Sequence, residues 1–172
     1  MNCLSFLVVR LGIVFVALSF AGCATDGAKL IGKPAPETRF TLLEGEYVPL
    51  KRYRGKTVVV TFWAHWCHSS RPALLRLDEF AEKLGRNDVV FLAANLDEVK
   101  DLAEVKERIV HQDLDGFQHA FSGNAGSDEA FVAFQGGRLP YFLIIDPQGV
   151  VVAAGNSDSL VYEYFEKLSN AS

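Results

Sequence analysis

Cys67 is the residue at which this chain could do covalent chemistry. The run Thr57-Val58-Val59-Val60-Thr61-Phe62-Trp63 leads through Ala64-His65-Trp66 to Cys67, and a helical pattern follows. A cysteine carried from a buried strand to a helix start meets unpaired backbone N–H groups and the positive end of the helix dipole. Its thiol then ionises more readily than the free value of roughly 8.5. A thiolate so placed attacks disulfides, and peroxide chemistry also begins on one. His65 and His68 flank it, and either, if protonated, favours the thiolate. Three residues on, where a second cysteine would close a disulfide, stands Ser70. Its hydroxyl can hydrogen-bond the Cys67 thiolate, but it cannot resolve a mixed disulfide. Trp66 precedes the thiol directly and is expected on the rim of a substrate groove.

The other two cysteines, Cys3 and Cys23, lie near the N-terminus. Arg10 is the only charge before Asp26, and the apolar stretch 11–20 is followed by Ala21 and Gly22. A charged flank, a short apolar centre and a small-residue exit describe an export signal over residues 1–22, with a retained N-terminal anchor helix as the alternative. Phe20-Ala21-Gly22-Cys23 resembles the lipobox of bacterial lipoproteins, which implies lipidation at Cys23 and a membrane anchor. Several acyl chains hold a protein stably where one holds it weakly. Ala24, rather than Asp, follows the cysteine, which favours the outer membrane, with the protein facing the periplasm. Cys67 is then the only free thiol, and an internal disulfide is excluded.

Of 172 residues, 17 are Lys or Arg and 21 Asp or Glu, a net charge of −4. Loss of residues 1–22 removes Arg10 and makes it −5. The remaining length suits one domain with a full core. Mild acidity without a Lys/Arg cluster argues against nucleic-acid binding.

Residues 23–33 read as a lipidated N-terminus and pattern-free tether, and 34–172 as the domain. Strand-like pieces at 38–43 and 47–50 surround a turn at 44–46. The nearly all β-branched or aromatic run 57–63, without polar alternation, suggests a strand covered on both faces. Leu74, Leu77, Phe80, Ala81 and Leu84 fall on one face of a helix over 69–84 ended by Gly85. A buried strand is expected at 89–94. A helix over 98–111 should turn Val99, Leu102, Val105 and Ile109 inward, with Glu104 and Arg108 able to pair. A strand at 117–121, a short helix at 127–134 capped by Ser127 or Asp128, a hairpin of 141–145 and 150–154 about Asp146-Pro147-Gln148-Gly149, and a helix over 159–168 complete the chain. This alternation indicates an α/β sandwich with a mixed sheet.

Phe62-Trp63-Ala64-His65-Trp66-Cys67 resembles the active-site entry of thioredoxin-fold proteins. The export signal, Gly32-Lys33-Pro34-Ala35-Pro36 and Leu50-Lys51-Arg52-Tyr53-Arg54-Gly55-Lys56 resemble the TlpA/ResA-like branch of envelope thiol–disulfide oxidoreductases. Gly137-Arg138-Leu139-Pro140 with the following Tyr141-Phe142-Leu143-Ile144-Ile145 is similar to that family's late motif. The resemblance spans residues 32–170. It implies a thioredoxin-like fold, a central mixed sheet flanked by helices, with N-terminal extra strands and a central insertion. It also implies that Pro140 is a cis-proline which, with Leu139, presents backbone to an extended substrate. The departures are Ser70 for the second cysteine, Ala73 for an acid, Leu75 for a helix proline (with Pro72 nearby instead) and Thr61 for a buried Asp.

The catalytic set expected is therefore Cys67, Ser70 and His68, with Trp66, Leu139 and Pro140 binding substrate. His65, His68, His111 and His119 form no recognisable metal spacing, so neither metal nor cofactor is expected. The expected partners are envelope proteins bearing thiols or disulfides, or small thiols. Three functions compete: monothiol exchange, a non-catalytic binding module using the same groove, and a one-cysteine peroxidase. The last is ranked lowest, because Ala64 stands where such peroxidases usually carry Thr.

Overall fold

The computed structural model describes residues 27–170. The export segment, Cys3 and the lipidation candidate Cys23 lie outside the described residues. The chain opens with a 3-10 turn at Ala28–Leu30. Strands β1 (Arg39–Thr41) and β2 (Tyr47–Pro49) then pair antiparallel. A second 3-10 turn, Leu50–Tyr53, leads into β3 (Thr57–Trp63), followed by helix α1 (Ser70–Leu84) and β4 (Val89–Asn95). The central segment supplies α2 (Leu102–His111), β5 (Gln118–Phe121) and α3 (Glu129–Ala133). The hairpin β6 (Tyr141–Ile145) and β7 (Val151–Gly155) and helix α4 (Ser159–Asn170) close the fold.

Five strands form one mixed sheet in the order β5-β4-β3-β6-β7. β3 pairs parallel with β4 and antiparallel with β6, so it lies at the centre. Every residue of β3 is buried, which accounts for a strand without polar alternation. Its two faces enter different cores. Val58, Val60 and Phe62 join Phe40, Val48, Phe131, Phe134 and Tyr141 on one side. Val59 and Trp63 join Leu74 and Leu77 of α1 and Val161 and Phe165 of α4 on the other. This is a thioredoxin-like α/β fold with helices flanking a mixed sheet.

Four local expectations require correction. Residues 27–33 are not a free tether: the Gly32 amide donates to Val151 O at 2.8 Å and the Val151 amide to Lys33 O at 2.9 Å. Gly27, at φ 66, lies so close to Tyr141 that a Cβ there would fall 1.9 Å from the phenol oxygen. The 98–111 helix begins as a 3-10 turn at Val99–Asp101, closed by a reciprocal cap between Glu98 and Asp101. That tighter turn rotates Val99 off the face shared by the α2 residues, and it is 68% exposed. Arg108 Nε is buried without a partner rather than paired with Glu104. The helix at 127–134 splits into a 3-10 turn, Ala125–Ser127, and α3. Asp128, not Ser127, caps α3 by accepting from the Phe131 amide at 2.9 Å.

His119 on β5 offers a pH test of this packing. Burial lowers its pKa, opposed in part by the Leu114 carbonyl that takes its Nε2 proton at 2.8 Å. Its Nδ1 is buried with no partner, so a second proton would have no acceptor. The unfolded imidazole takes that proton near its usual value of about 6.5, while the folded one resists to lower pH. The His119 contribution should therefore be complete above that value and decline as pH falls through it. Urea midpoints at pH 7 and pH 5 should show a decline that shrinks in His119→Gln; an unchanged decline would contradict this origin.

Candidate functional site

The site forms where the carboxyl ends of parallel strands β3 and β4 lie side by side, Trp63 opposite Asn95. Open α/β sheets expose loops at that end. Residues 64–69 bridge β3 to α1, with the Cys67 amide donating to Ala64 O and the Ser70 amide to Cys67 O, both at 3.1 Å. Pro72 sits in the first turn of α1, where a missing N–H costs no helical hydrogen bond. Cys67 is partly exposed, the one free cysteine among the described residues.

The hydroxyl in direct hydrogen-bond contact with the thiol is that of Ser69, while the Ser70 hydroxyl acts on the thiol through its dipole. Ser69 Oγ lies 3.3 Å from Cys67 Sγ. A thiolate has no proton to give, so in the ionised site Ser69 must donate. Ser70 is 1% exposed, and its Oγ is buried with no hydrogen-bond partner. Partial burial pushes the Cys67 pKa up, but the Ser69 and Ser70 hydroxyl dipoles and backbone amides outweigh it, leaving the thiol below the ordinary cysteine value. Ser69→Ala should raise that pKa and slow alkylation by iodoacetamide at pH 7 by roughly threefold, one charge-assisted bond discounted for solvent. A rate-versus-pH profile superimposable on the parent's would contradict the assignment.

A groove of about 810 Å³ runs past the thiol, with Trp66, Cys67 and Leu139 in its lining. Trp66 is 63% exposed on the rim. The Leu139–Pro140 peptide bond is cis. Pro140 is buried beneath the groove surface, and its carbonyl accepts from Asn156 Nδ2 at 3.0 Å. Asn156 Nδ2 also donates to Arg138 O at 3.1 Å, so this side chain holds residues 138–140 in place. The structure thus gathers Trp66, Cys67 and Leu139 on the groove. His68 is exposed outside its lining, and Ser70 and Pro140 lie behind it.

Sequence reasoning missed Ser69, Asn156 and Asp97. Thr61 and Ala73, which replace the expected acids, are both buried. Asp97 instead brings an acid to the groove from the turn after β4, with its side chain fully buried. Its Oδ2 accepts from the His65 amide at 2.8 Å and from Asn95 Nδ2 at 2.7 Å. Its Oδ1 lies 2.8 Å from His65 Nδ1. The available signal was the register: two parallel strands end together, so Asn95-Leu96-Asp97 must neighbour residues 64–66. Asp101 completes a cluster with His65 and Asp97 whose donor atoms lie within 4.8 Å of one another.

Comparison with known proteins agrees with this geometry. Residues 31–154 match the model of the AhpC/TSA family. A thiol-disulfide oxidoreductase ResA of Bacillus cereus is 32% identical over 155 residues, spanning 88% of this chain and 86% of that protein. Among solved structures, a thiol-disulfide oxidoreductase from Bacteroides fragilis superposes with a TM-score of 0.69 at 21% identity, covering 79% of this chain and 99% of that one. The thioredoxin domain of a Bacteroides vulgatus thiol-disulfide oxidoreductase gives 0.67 at 22% identity, covering 80% and 96%. A strand-to-helix cysteine, a groove beside it and a matching sheet lead to one conclusion: the chain belongs to the AhpC/TSA family of thioredoxin-fold proteins, close to the ResA thiol-disulfide oxidoreductases.

Proposed function

We propose that this chain is an envelope protein that carries out thiol–disulfide exchange through Cys67 alone. In this reading residues 1–22 are removed, Cys23 is lipidated, and residues 34–172 form the working domain facing the periplasm, on the outer rather than the inner membrane. Phe20-Ala21-Gly22-Cys23 and the following Ala24 support the anchor and its address.

One observation carries the chemistry: the sole described cysteine opens onto a groove, while the resolving position beside it is a buried serine. The Cys67 thiolate attacks one sulfur of a substrate disulfide. A Cys67–substrate disulfide forms, the substrate S–S bond breaks, and the other sulfur leaves as a thiolate that takes a proton from solvent. With no second thiol among the described residues and Cys23 lipidated in this reading, an external thiol, on a small molecule or another protein, must attack the mixed disulfide. That step returns Cys67 and oxidises the external thiol into a disulfide with the substrate. Trp66 and Leu139 border the route by which an extended substrate segment would approach, with Pro140 buried behind them. His68 is exposed next to the thiol and can favour the thiolate only when protonated.

The test is trapping. Full-length protein and its Cys67→Ser variant are incubated with envelope extract, quenched with acid and resolved without reductant. Adducts that vanish in Cys67→Ser and on reduction are expected. Their absence, with an alkylation rate like that of an unactivated thiol, would leave a binding module. Rapid peroxide consumption with sulfenic acid at Cys67 would favour a one-cysteine peroxidase instead.

A further inference from the structure

We propose that His65, Asp97 and Asp101 form a binding site for a divalent transition-metal ion of the zinc class, on the wall of the groove that holds Cys67. One imidazole and two carboxylates offer donor atoms all within 4.8 Å of one another. Ligands bonded to zinc at about 2.0–2.2 Å, subtending angles near 90–110°, lie about 3–3.5 Å apart, so small inward shifts would close such a shell.

A second observation points to a ligand independently of the clustering. The Asp97 side chain is fully buried, and its Oδ1 has no hydrogen-bond donor although it faces His65 Nδ1 at 2.8 Å. His65 Nδ1 is likewise buried and without a hydrogen-bond partner. The two atoms form a close pair that is ionic only with His65 protonated, and no N–H···O hydrogen bond joins them, so beside a neutral imidazole this buried carboxylate oxygen lacks a donor. Such a group is costly unless something cationic meets it. The neighbouring ammonium of Lys100 lies 3.0 Å from Glu98 instead. An ion between the imidazole and the two carboxylates would satisfy both orphaned atoms.

The donor set selects the ion. Imidazole suits zinc, copper, iron and nickel, whereas magnesium and calcium prefer shells built of oxygen alone. Three protein ligands leave a coordination position open, as in exchangeable rather than structural zinc sites. Asp97 is already oriented through its other oxygen by Asn95 and the His65 amide, the kind of outer support that fixes a metal ligand. Cys67 shares the groove but not the cluster, so binding does not depend on the exchange chemistry.

Zinc titration of the full-length Cys67→Ser protein in detergent, followed by calorimetry and by metal content after gel filtration, tests this directly. Removing the thiol excludes zinc held by Cys67. One zinc per chain is expected, undisturbed by an equal concentration of magnesium. Asp101→Asn, at a partly exposed position, should retain the parent's circular dichroism and weaken zinc at least tenfold, since losing even an outer-shell partner costs about 10- to 100-fold. His65→Ala should do the same. Substoichiometric zinc, displacement by magnesium, or unchanged affinity in folded Asp101→Asn would each overturn the proposal.

Discussion

Ser70→Cys is expected to turn a site proposed to stall at the mixed disulfide into one that cycles. Ser70 follows Cys67 by three residues, and its amide donates to the Cys67 carbonyl at 3.1 Å, so one turn of chain separates the two side chains. Its hydroxyl is buried without a partner. A thiol there would remove an unsatisfied polar atom and add a soft apolar one, a change the fold should tolerate. The new thiol would act on a Cys67 adduct at an effective concentration of at least millimolar order. Release should then be roughly a hundredfold faster than with about 10 µM external thiol. Stopped-flow release of a labelled peptide from Cys67 measures this. Turnover unchanged from the parent would show that the losses at Ala73 and Leu75 also matter, since neither restores an acid or a helix proline.

Phe62→Ala should be the most damaging single truncation on the sheet face beneath the groove. Phe62 is fully buried and stacks on Tyr141 at 5.9 Å between ring centroids. It also meets Phe131 edge-on at 5.3 Å and approaches Phe40 and Phe134 at 6.5 and 6.4 Å. Removing a ring held from four sides leaves a cavity that rigid aromatic neighbours cannot fill. A loss of about 3–5 kcal/mol is expected, a large fraction of a typical domain's total. Phe131 also lines the groove, so the surviving folded population should bind substrate peptides less tightly. Urea denaturation reads the first effect. A loss below about 1 kcal/mol would mean that the aromatic cluster does not hold this wall.

These two residues also show what the sequence could and could not disclose. Phe62 and Ser70 were legible because each lies on a strong local signal: an unbroken β-branched strand, and a helix start at a fixed distance from a cysteine. The Tyr141–Ile145 strand and the turn after it were legible for the same reason. Val99 was misplaced because periodicity assumes one helical pitch, whereas a 3-10 turn precedes α2. Residues 27–33 were read as a tether because docking on β7 uses backbone groups and a glycine, which carry no hydrophobic pattern. Asp97 and Asn156 were missed for a different reason. Their roles arise from strand register and from a side chain reaching 16 residues back to Pro140. Ser69 and Ser70 are chemically alike, and only the geometry of the turn decides which hydroxyl meets the sulfur.

In the proposed reading the site is a nucleophile with support but, among the described residues, without an internal means of release. Ser69 and the first amides of α1 favour the thiolate, and the groove past Trp66 and Leu139 gives a substrate access to it. Thr61 and Ala73 bring no acid to the site, and Asp97, on the neighbouring strand's loop, is an acid in the lining of the same groove. Substrate capture and substrate release are therefore separable here in a way that a two-cysteine site does not allow.

Intact-mass spectrometry after mixing the protein with a small disulfide-bonded peptide tests that separation most directly. One peptide chain should attach at Cys67, in stoichiometric yield, and persist until glutathione is added and the free protein mass returns. No adduct at Cys67, or loss of the adduct after the released peptide thiol has been removed and before any thiol is added, would contradict it.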